Sequence, residues 1–376
     1  MLGCGRIGST IIRDLANNPN ISEIHAVDAD AQTLARLNTT GLKAKISKHH
    51  IELRDKAKLL EVCSEADLMC GALPGALGEE AIRLALEAGL SLIDVAFTPV
   101  DPYNYDMNAQ DAGITIIPQC GVAPGLTNIL VGHGKTLLDE MEEVRIFVGG
   151  LPQNPKPPLN YIITWSPSDL LEMYTRPAQM VKNGGIGEAE PLSDLKEEEF
   201  EGAGKLEHFR TGGLGTLARS YPHVKLMEER TIRYPGHAFA MSLLGQLGFY
   251  NREPISVDGV RVSPRSVTSQ LLTRFLTDPN VRDMVVFRVE VSGKRKFAAH
   301  RIRYDLLDKY DEATNTTAMA RTTAYTCTAV TSLLADGKIT KRGIVTPESL
   351  GENPQHFAAI KDYLGQRKVS LTETAK

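Results

Sequence analysis

The sequence predicts a doubly wound parallel α/β sheet followed by an α+β domain, and three observations lead there. Short apolar runs alternate with amphipathic stretches through roughly the first 128 residues, as strand–helix–strand units of a parallel sheet do. A glycine cluster at residues 3–8 stands directly before the first amphipathic stretch. From about residue 144 the pattern changes to longer runs of period-two alternation, the signature of half-buried strands.

The elements follow in order. Apolar runs at 24–27, 67–70, 92–95 and 114–117 are the expected parallel strands, and the stretches 7–15 and 79–88 carry apolar residues at helical spacing that would cover the sheet. Strands are expected over 144–148 and 161–165, joined by a loop stiffened by Pro152, Pro155, Pro157 and Pro158, residues that cannot donate to a ladder. Further strands over 284–291 and 298–304 are separated by Ser292, Gly293 and Lys294, which suits a hairpin. The glutamate-rich stretch 196–201 reads as solvated surface. Helices over 322–334 and 354–364 close the chain, and no internal repeat is visible. The domains are therefore expected at 1–130 and 131–320, with 321–376 packing back on the first.

Composition narrows the possibilities. The 376 residues suit two or three domains at roughly 150 residues each, and 42% hydrophobic with 23% charged residues marks a chain that folds. A net charge of −4 provides no broad basic surface for nucleic acid. No apolar run approaches the roughly 18–20 residues of a membrane span, and no basic segment with an apolar signal core opens the chain, so a cytoplasmic location is expected. The five cysteines are odd in number and form no C-x-x-C pair, which fits reduced thiols. His49-His50 lacks an evident third ligand, so no metal is expected.

The glycine cluster is the first site motif. Gly3-Cys4-Gly5-Arg6-Ile7-Gly8 matches G-x-G-x-x-G: Gly3 permits a tight turn, Gly5 lets backbone approach a pyrophosphate, and Gly8 lets the helix pack on the sheet. The helix start then offers N–H groups and positive dipole to the diphosphate. Asp28 ends the 24–27 run twenty residues after Gly8, where a carboxylate accepts from both ribose hydroxyls and repels a 2'-phosphate. The next basic residue is Arg36. NAD is the expected cofactor, on a Rossmann domain, with helix capping by Asp28 or Asp30 as the structural alternative. The strand before Gly3 comprises only Met1 and Leu2, so either the true start lies upstream or the sheet centre is weakened.

Open α/β sheets bind ligands beyond the carboxyl ends of their strands. Gly71-Ala72-Leu73-Pro74-Gly75, Asp94-Val95-Ala96-Phe97-Thr98-Pro99 and Cys120-Gly121-Val122-Ala123-Pro124-Gly125-Leu126-Thr127-Asn128 occupy those ends. Leu73, Pro74, Val95, Ala96, Val122, Ala123 and Pro124 are the expected cofactor contacts, with Pro124 or Gly125 opening a helix aimed at the nicotinamide. Cys120 reads as a small buried thiol.

G-A-L-P-G, D-V-A-F and G-V-A-P-G-L-T-N follow the order seen in saccharopine dehydrogenase-like proteins, which the chain resembles. Gly149-Gly150-Leu151-Pro152, Pro157-Pro158-Leu159-Asn160-Tyr161, Ile163-Thr164-Trp165-Ser166-Pro167, Tyr174-Thr175-Arg176-Pro177-Ala178 and Thr231-Ile232-Arg233-Tyr234-Pro235-Gly236-His237 look most like the lysine 6-dehydrogenase branch. The resemblance implies a second domain that closes over the nicotinamide, with Arg233 engaging a substrate carboxylate through paired charge-assisted bonds. Trp165, Tyr174, Arg176 and Phe97 join Arg233 as expected substrate-site residues, and His237 is a weaker acid–base candidate. The implied reaction oxidises the terminal carbon of a lysine side chain to an imine, which hydrolyses to 2-aminoadipate 6-semialdehyde. Asp94 is the candidate for orienting or deprotonating the amine, with turn capping as its alternative. A saccharopine dehydrogenase and a non-catalytic NAD-binding protein are the rival readings. The expected partners are a small amino-acid substrate and further copies of the chain, as homodimer or larger homo-oligomer.

Overall fold

The computed structural model describes residues 1–376 in backbone and, except at Pro167 and Ser168, in side chain; any side-chain role of Pro167 in the 163–167 motif lies outside the described residues. The chain divides into two compact units, Met1–Leu137 with Ala320–Val369, and Leu138–Met319 with Ser370–Lys376.

The first unit is built on a parallel sheet. Across it stand Lys45–His50, Glu23–Asp28, a bridge at Leu2, then Leu68–Gly71, Ser91–Asp94, Thr115–Ile117 and Gly343–Ile344. The four apolar runs form the inner strands because both faces are covered: Leu92, Ile93, Ile116 and Ile117 are fully buried. Two strands escaped the sequence reading. Lys45–His50 is an edge strand of mostly polar residues, and Gly343–Ile344 is two residues long. The central position holds only Met1 to Gly3, through bonds from the Leu2 N–H to the Cys70 carbonyl (2.8 Å), the Val27 N–H to the Met1 carbonyl (2.9 Å) and the Gly3 N–H to the Val27 carbonyl (2.9 Å). Helices Arg6–Leu15 and Gly78–Ala88 bury Ile11, Ile12, Leu15, Ile82 and Ala85 against the sheet, as their spacing predicts. The long helix Ala318–Ala335 contributes buried threonines. Thr326 and Thr331 donate to the carbonyls of Thr322 and Cys327, four residues back, so their hydroxyls are satisfied without leaving the helix.

The second unit is a mixed sheet. Its order is Thr372–Ala375, Ala298–Lys309, Asp283–Arg295, Glu140–Pro152, Leu226–Arg233, Gly204–Thr211 and Lys196–Phe200, with Ala178–Lys182 and Gly185–Ala189 branching from Leu226–Arg233. Only Leu226–Arg233 and Glu140–Pro152 run parallel. Three expectations are corrected. Residues 161–165 form no strand: Tyr161 and Ile163 alternate inward, but the segment packs on helices Pro167–Thr175, His237–Gln246 and Pro264–Leu276 instead of joining a ladder. The hairpin turn lies at Lys296 and Phe297, both at positive φ, while Gly293 marks a bulge inside the strand. The final strand, Thr372–Ala375, extends this sheet, so residues 321–376 do not all return to the first unit. The glutamate-rich stretch is an edge strand with an exposed outer face.

Candidate functional site

In the first unit the glycines make a backbone cradle. Gly3 sits at φ +81, and a Cβ there would lie 2.6 Å from the Ala72 carbonyl oxygen; at Gly8 it would lie 1.9 Å from the Gly3 carbonyl oxygen. Both positions exclude a side chain for internal reasons. Gly5 differs, because a Cβ there would meet nothing within 4 Å. Its methyl-free surface is open rather than packed, and helix Arg6–Leu15 starts beside it with no side-chain cap. This is the geometry a phosphate on a helix N-terminus needs. The Asp28 carboxylate is held against the turn, accepting from the N–H of Cys4 (2.7 Å) and of Asp30 (2.8 Å). Asp30, in turn, caps helix Ala31–Arg36. Capping thus falls mainly to Asp30, and Asp28 keeps acceptor capacity beside the cradle.

The other strand ends carry the remaining expected contacts. Ile7, Leu73, Val95, Phe97 and Ala123 are half-buried, Arg6 and Pro74 exposed, and Ala96, Val122 and Pro124 buried. Asp94 is 3% exposed. Its Oδ1 accepts from the Ala96 N–H (3.0 Å), and the carboxyl covers Gly71, where a Cβ would come within 2.5 Å of it. Burial lifts its pKa to about 6. The carboxyl is placed as the cap of its own turn. The 121–125 loop folds tightly on itself, with Gly125 as N-cap of helix Leu126–Thr136. The Leu126 and Thr127 N–H groups bond the Gly121 and Val122 carbonyls (2.8 and 3.1 Å), so this helix start braces the loop and does not aim free N–H groups at a ring. Cys120 is fully buried and burial pushes its thiol up, which makes it inert.

Sequence reasoning missed Gln119. It is 3% exposed, stands at φ +55 just past strand Thr115–Ile117, and its Oε1 is buried without a hydrogen-bond partner. An unsatisfied buried amide costs about 1–3 kcal/mol, and backbone strain concentrates at functional positions. The only available signal was a polar side chain inside the I-P-Q-C-G run.

In the second unit, Arg233 ends strand Leu226–Arg233 and is 3% exposed. Its guanidinium lies 4.3 Å over the Tyr161 ring, donates to the Ile232 carbonyl (2.8 Å), and leaves Nε without a partner. Burial opposes its charge, but Tyr161, Tyr174 and Glu207 hold its pKa above the ordinary value. Among the described residues no carboxylate forms an ion pair with it. Around it, Trp165 Nε1 donates to the Tyr161 hydroxyl (2.9 Å) and the Tyr174 hydroxyl meets His237 Nε2 (2.7 Å). His237 Nδ1 lies 3.0 Å from the Leu159 carbonyl. Burial and the neighbouring Arg233 depress His237 to about 3, so it is a neutral orienting group and not an acid at physiological pH. The Thr164 hydroxyl is also buried and unpartnered. Arg176 stands half-buried at the end of helix Pro167–Thr175.

Glu207, directly opposite Arg233 in the ladder, was also missed. Its carboxylate accepts from the N–H groups of Gly236 (2.7 Å) and Ala238 (2.6 Å), fixing the start of helix His237–Gln246. Glu229 lies on the same face by strand alternation. It is buried against Gly213, with Oε2 unpartnered, and burial pushes it to about 8.

A parallel sheet with an open glycine cradle, and in the other unit a buried arginine without an ion pair among aromatic side chains, is an arrangement suited to holding a dinucleotide and an anionic ligand. Comparison gives the family. Residues 1–117 match the saccharopine dehydrogenase NADP binding domain and residues 121–369 the saccharopine dehydrogenase C-terminal domain, so the chain belongs to the saccharopine dehydrogenase family, whose members are NAD(P)-dependent amino-acid oxidoreductases. The mitochondrial alpha-aminoadipic semialdehyde synthase of Mus musculus is 24% identical over 266 residues, covering 67% of this chain and 28% of that protein. The chain therefore spans under a third of the synthases it matches. The saccharopine dehydrogenase [NADP(+), L-glutamate-forming] of Saccharomyces cerevisiae is 20% identical, with 97% of each chain covered. Among solved structures, apo saccharopine dehydrogenase (L-Glu forming) from the same yeast superposes with a TM-score of 0.80 at 17% identity, covering 100% of this chain and 98% of that one. The homospermidine synthase of Legionella pneumophila in complex with NAD gives 0.65 at 13%, covering 99% and 90%. No helix among the described residues is long and apolar enough to cross a membrane.

Proposed function

We propose that this chain oxidises an amino acid at a carbon bearing nitrogen, with NAD as acceptor, and that its substrate is the side-chain amine of lysine. The observation that carries the reading is Arg233, a buried guanidinium with an unpartnered Nε and no ion pair among the described residues. A buried charge left unpaired is strongly destabilising, and a substrate carboxylate supplies the missing partner through charge-assisted bonds. The group around it includes a neutral histidine and the rings of Tyr161, Tyr174 and Trp165. That suits one carboxylate on an aliphatic stem. Saccharopine carries additional carboxylates and would need additional cations; the names of the relatives favour it, and it is the second reading.

The first unit fits an adenine dinucleotide: the open face of Gly5 takes the diphosphate, Asp28 the ribose hydroxyls, and Gln119 offers an amide to the nicotinamide carboxamide. Asp28 favours NAD, since a 2'-phosphate would meet its negative charge. The bound nicotinamide would accept the hydride. The neutral amine R–CH2–NH2 gives up that hydride to become the iminium R–CH=NH2+, and water then replaces nitrogen, releasing the aldehyde and ammonium. Arg233 anchors the α end, Tyr161, Trp165 and Tyr174 exclude water from the stem, and Glu207 with His237 holds this group in place. Asp94 shapes the 94–98 loop.

The test is NADH absorbance with lysine and with saccharopine, each with NAD and NADP. NADH formation from lysine is expected. Turnover of saccharopine alone selects the second reading, and binding of NADH without turnover of either substrate leaves a non-catalytic NAD-binding protein.

A further inference from the structure

We propose that the Thr164 hydroxyl is the second donor to the substrate carboxylate, completing with Arg233 a site for the α end of an amino acid and rejecting amines that lack a carboxylate. The inference rests on Arg233 holding that carboxylate, and it adds the residue that sets the preference for it.

Thr164 differs from the threonines near it. It is 2% exposed and its Oγ1 has no hydrogen-bond partner. By contrast, the hydroxyls of Thr211 and Thr231 bond each other (2.8 Å), and Thr175 donates to the Leu171 carbonyl one helical turn back (2.8 Å). Thr164 has no such outlet, because it lies in the irregular segment before helix Pro167–Thr175, where no helical carbonyl stands a turn behind it. A hydroxyl buried without a partner is costly, so a bound group that accepts from it recovers what the free enzyme gives up.

The sheet puts this hydroxyl beside Arg233. Strands Glu140–Pro152 and Leu226–Arg233 run parallel with Thr231 level with Val148. The register holds past the ladder, since a Cβ on Gly149 would lie 2.8 Å from the Ile232 Cβ, so Arg233 is level with Gly150 and shares its face. A Cβ on Gly150 would lie 3.5 Å from Thr164 Oγ1 and 2.5 Å from Met319 Cε. The hydroxyl therefore stands over bare backbone, one strand away from the arginine. The same short segment supplies Tyr161, whose ring lies 4.3 Å from the Arg233 guanidinium.

The donor count points the same way. A carboxylate presents about four lone-pair sites, and the edge of a guanidinium fills only a pair of them. Arg233 already gives one N–H to the Ile232 carbonyl, and Glu207, directly opposite in the ladder, draws on the same positive charge. An incoming carboxylate meets a partly engaged cation and a second anion, and a neutral donor strengthens its hold without adding charge. 1,5-Diaminopentane, which is lysine without its carboxylate, would leave Thr164 Oγ1 and Arg233 Nε buried and unpaired. That is how a hydrogen-bonding site rejects an analogue most strongly.

The experiment is titration calorimetry on the full chain in the presence of NADH, with lysine, saccharopine and 1,5-diaminopentane as ligands. The amino acid that binds the wild type is expected to bind Thr164→Val, the same shape without the hydroxyl, about 10- to 100-fold more weakly, the strength of a hydrogen bond to a charged group. Thr164→Ser, which keeps the donor, should stay within about threefold of the wild type. KM should rise with kcat unchanged, and 1,5-diaminopentane should bind the wild type and Thr164→Val equally. Without ligand, Thr164→Val should melt about 2–4 °C higher, because an unpaired buried hydroxyl is gone; a lower melting temperature would mean that the hydroxyl is bonded within the protein and would overturn the inference. If Thr164→Val does not fold, Thr164→Ala replaces it in the binding comparison. Undiminished binding of the amino acid by Thr164→Val, while Arg233→Lys binds it weakly, overturns this inference and leaves the reading of Arg233 standing. Equal losses for amino acid and diamine also overturn it, by making Thr164 a packing residue. If neither lysine nor saccharopine binds the wild type, or Arg233→Lys binds as the wild type does, both fall together.

Discussion

The two units carry the features we assign to ligand binding in different materials. In the first unit the key groups are backbone: a cradle shaped by Gly3, Gly5 and Gly8, close together in sequence, with Gly3 and Gly8 imposed by close contacts that a side chain would break and Gly5 left open. In the second unit they are side chains from separated segments, with Arg233, Tyr161, Trp165, Tyr174, Glu207 and His237 brought together by a sheet and two helices. A backbone site is rigid and tolerant of sequence elsewhere; a side-chain site can be retuned residue by residue. One fold can therefore keep its cofactor chemistry while its substrate changes.

The contrast can be broken at several points. Arg233→Lys keeps the charge but loses the two-pronged geometry, and kcat/KM should fall roughly 100-fold, about 3 kcal/mol, with NADH affinity unchanged; a preserved kcat/KM would remove Arg233 from the site. Asp94 gives a pH signature of similar size. Its folded pKa, about 6, lies above the 3.8 of the unfolded chain, so the folded state favours the protonated acid. Stability is then fully retained below pH 3.8 and lost as pH rises towards 6, by about 3 kcal/mol. Thermal melts of Asp94→Asn should lack that fall, and its kcat should show the wild-type pH profile if the carboxyl only caps the turn.

Gly5→Ala sharpens the comparison. The methyl meets no protein atom, so the melting temperature should hold, whereas NADH affinity should drop by about 10- to 100-fold through overpacking against the ligand. Gly8→Ala, by contrast, should lower both. Asp28→Asn should reduce a preference for NAD over NADP by roughly tenfold, the worth of one charged hydrogen bond, read from paired Kd values. The smallest effect is expected at Gln119→Leu. NADH should bind about five- to tenfold more weakly and ADP-ribose as before; equal losses for both would make Gln119 a packing residue.

The same division explains what could be read from the chain alone. The glycine cradle, Asp28 and the inner parallel strands were legible because they depend on local spacing and continuous apolar runs. Lys45–His50 was not, since an edge strand needs little hydrophobicity, and Gly343–Ile344 is too short to carry a pattern. Residues 161–165 bury Tyr161 and Ile163 as a strand would, but Thr164 is buried as well and the segment packs on three helices. Arg233 was found only through a motif resemblance. Glu207 and Gln119 were invisible, because their importance lies in a helix start thirty residues away and in a hydrogen bond not made.

The chain passes between the two units three times, after Leu137, Met319 and Val369. An expression fragment ending near residue 137 would omit the outermost parallel strand, Gly343–Ile344, and the whole of the threonine-lined helix Ala318–Ala335. Anyone transplanting the nucleotide-binding half would have to splice residues 1–137 to 320–369, and neither half is complete until synthesis has passed residue 369.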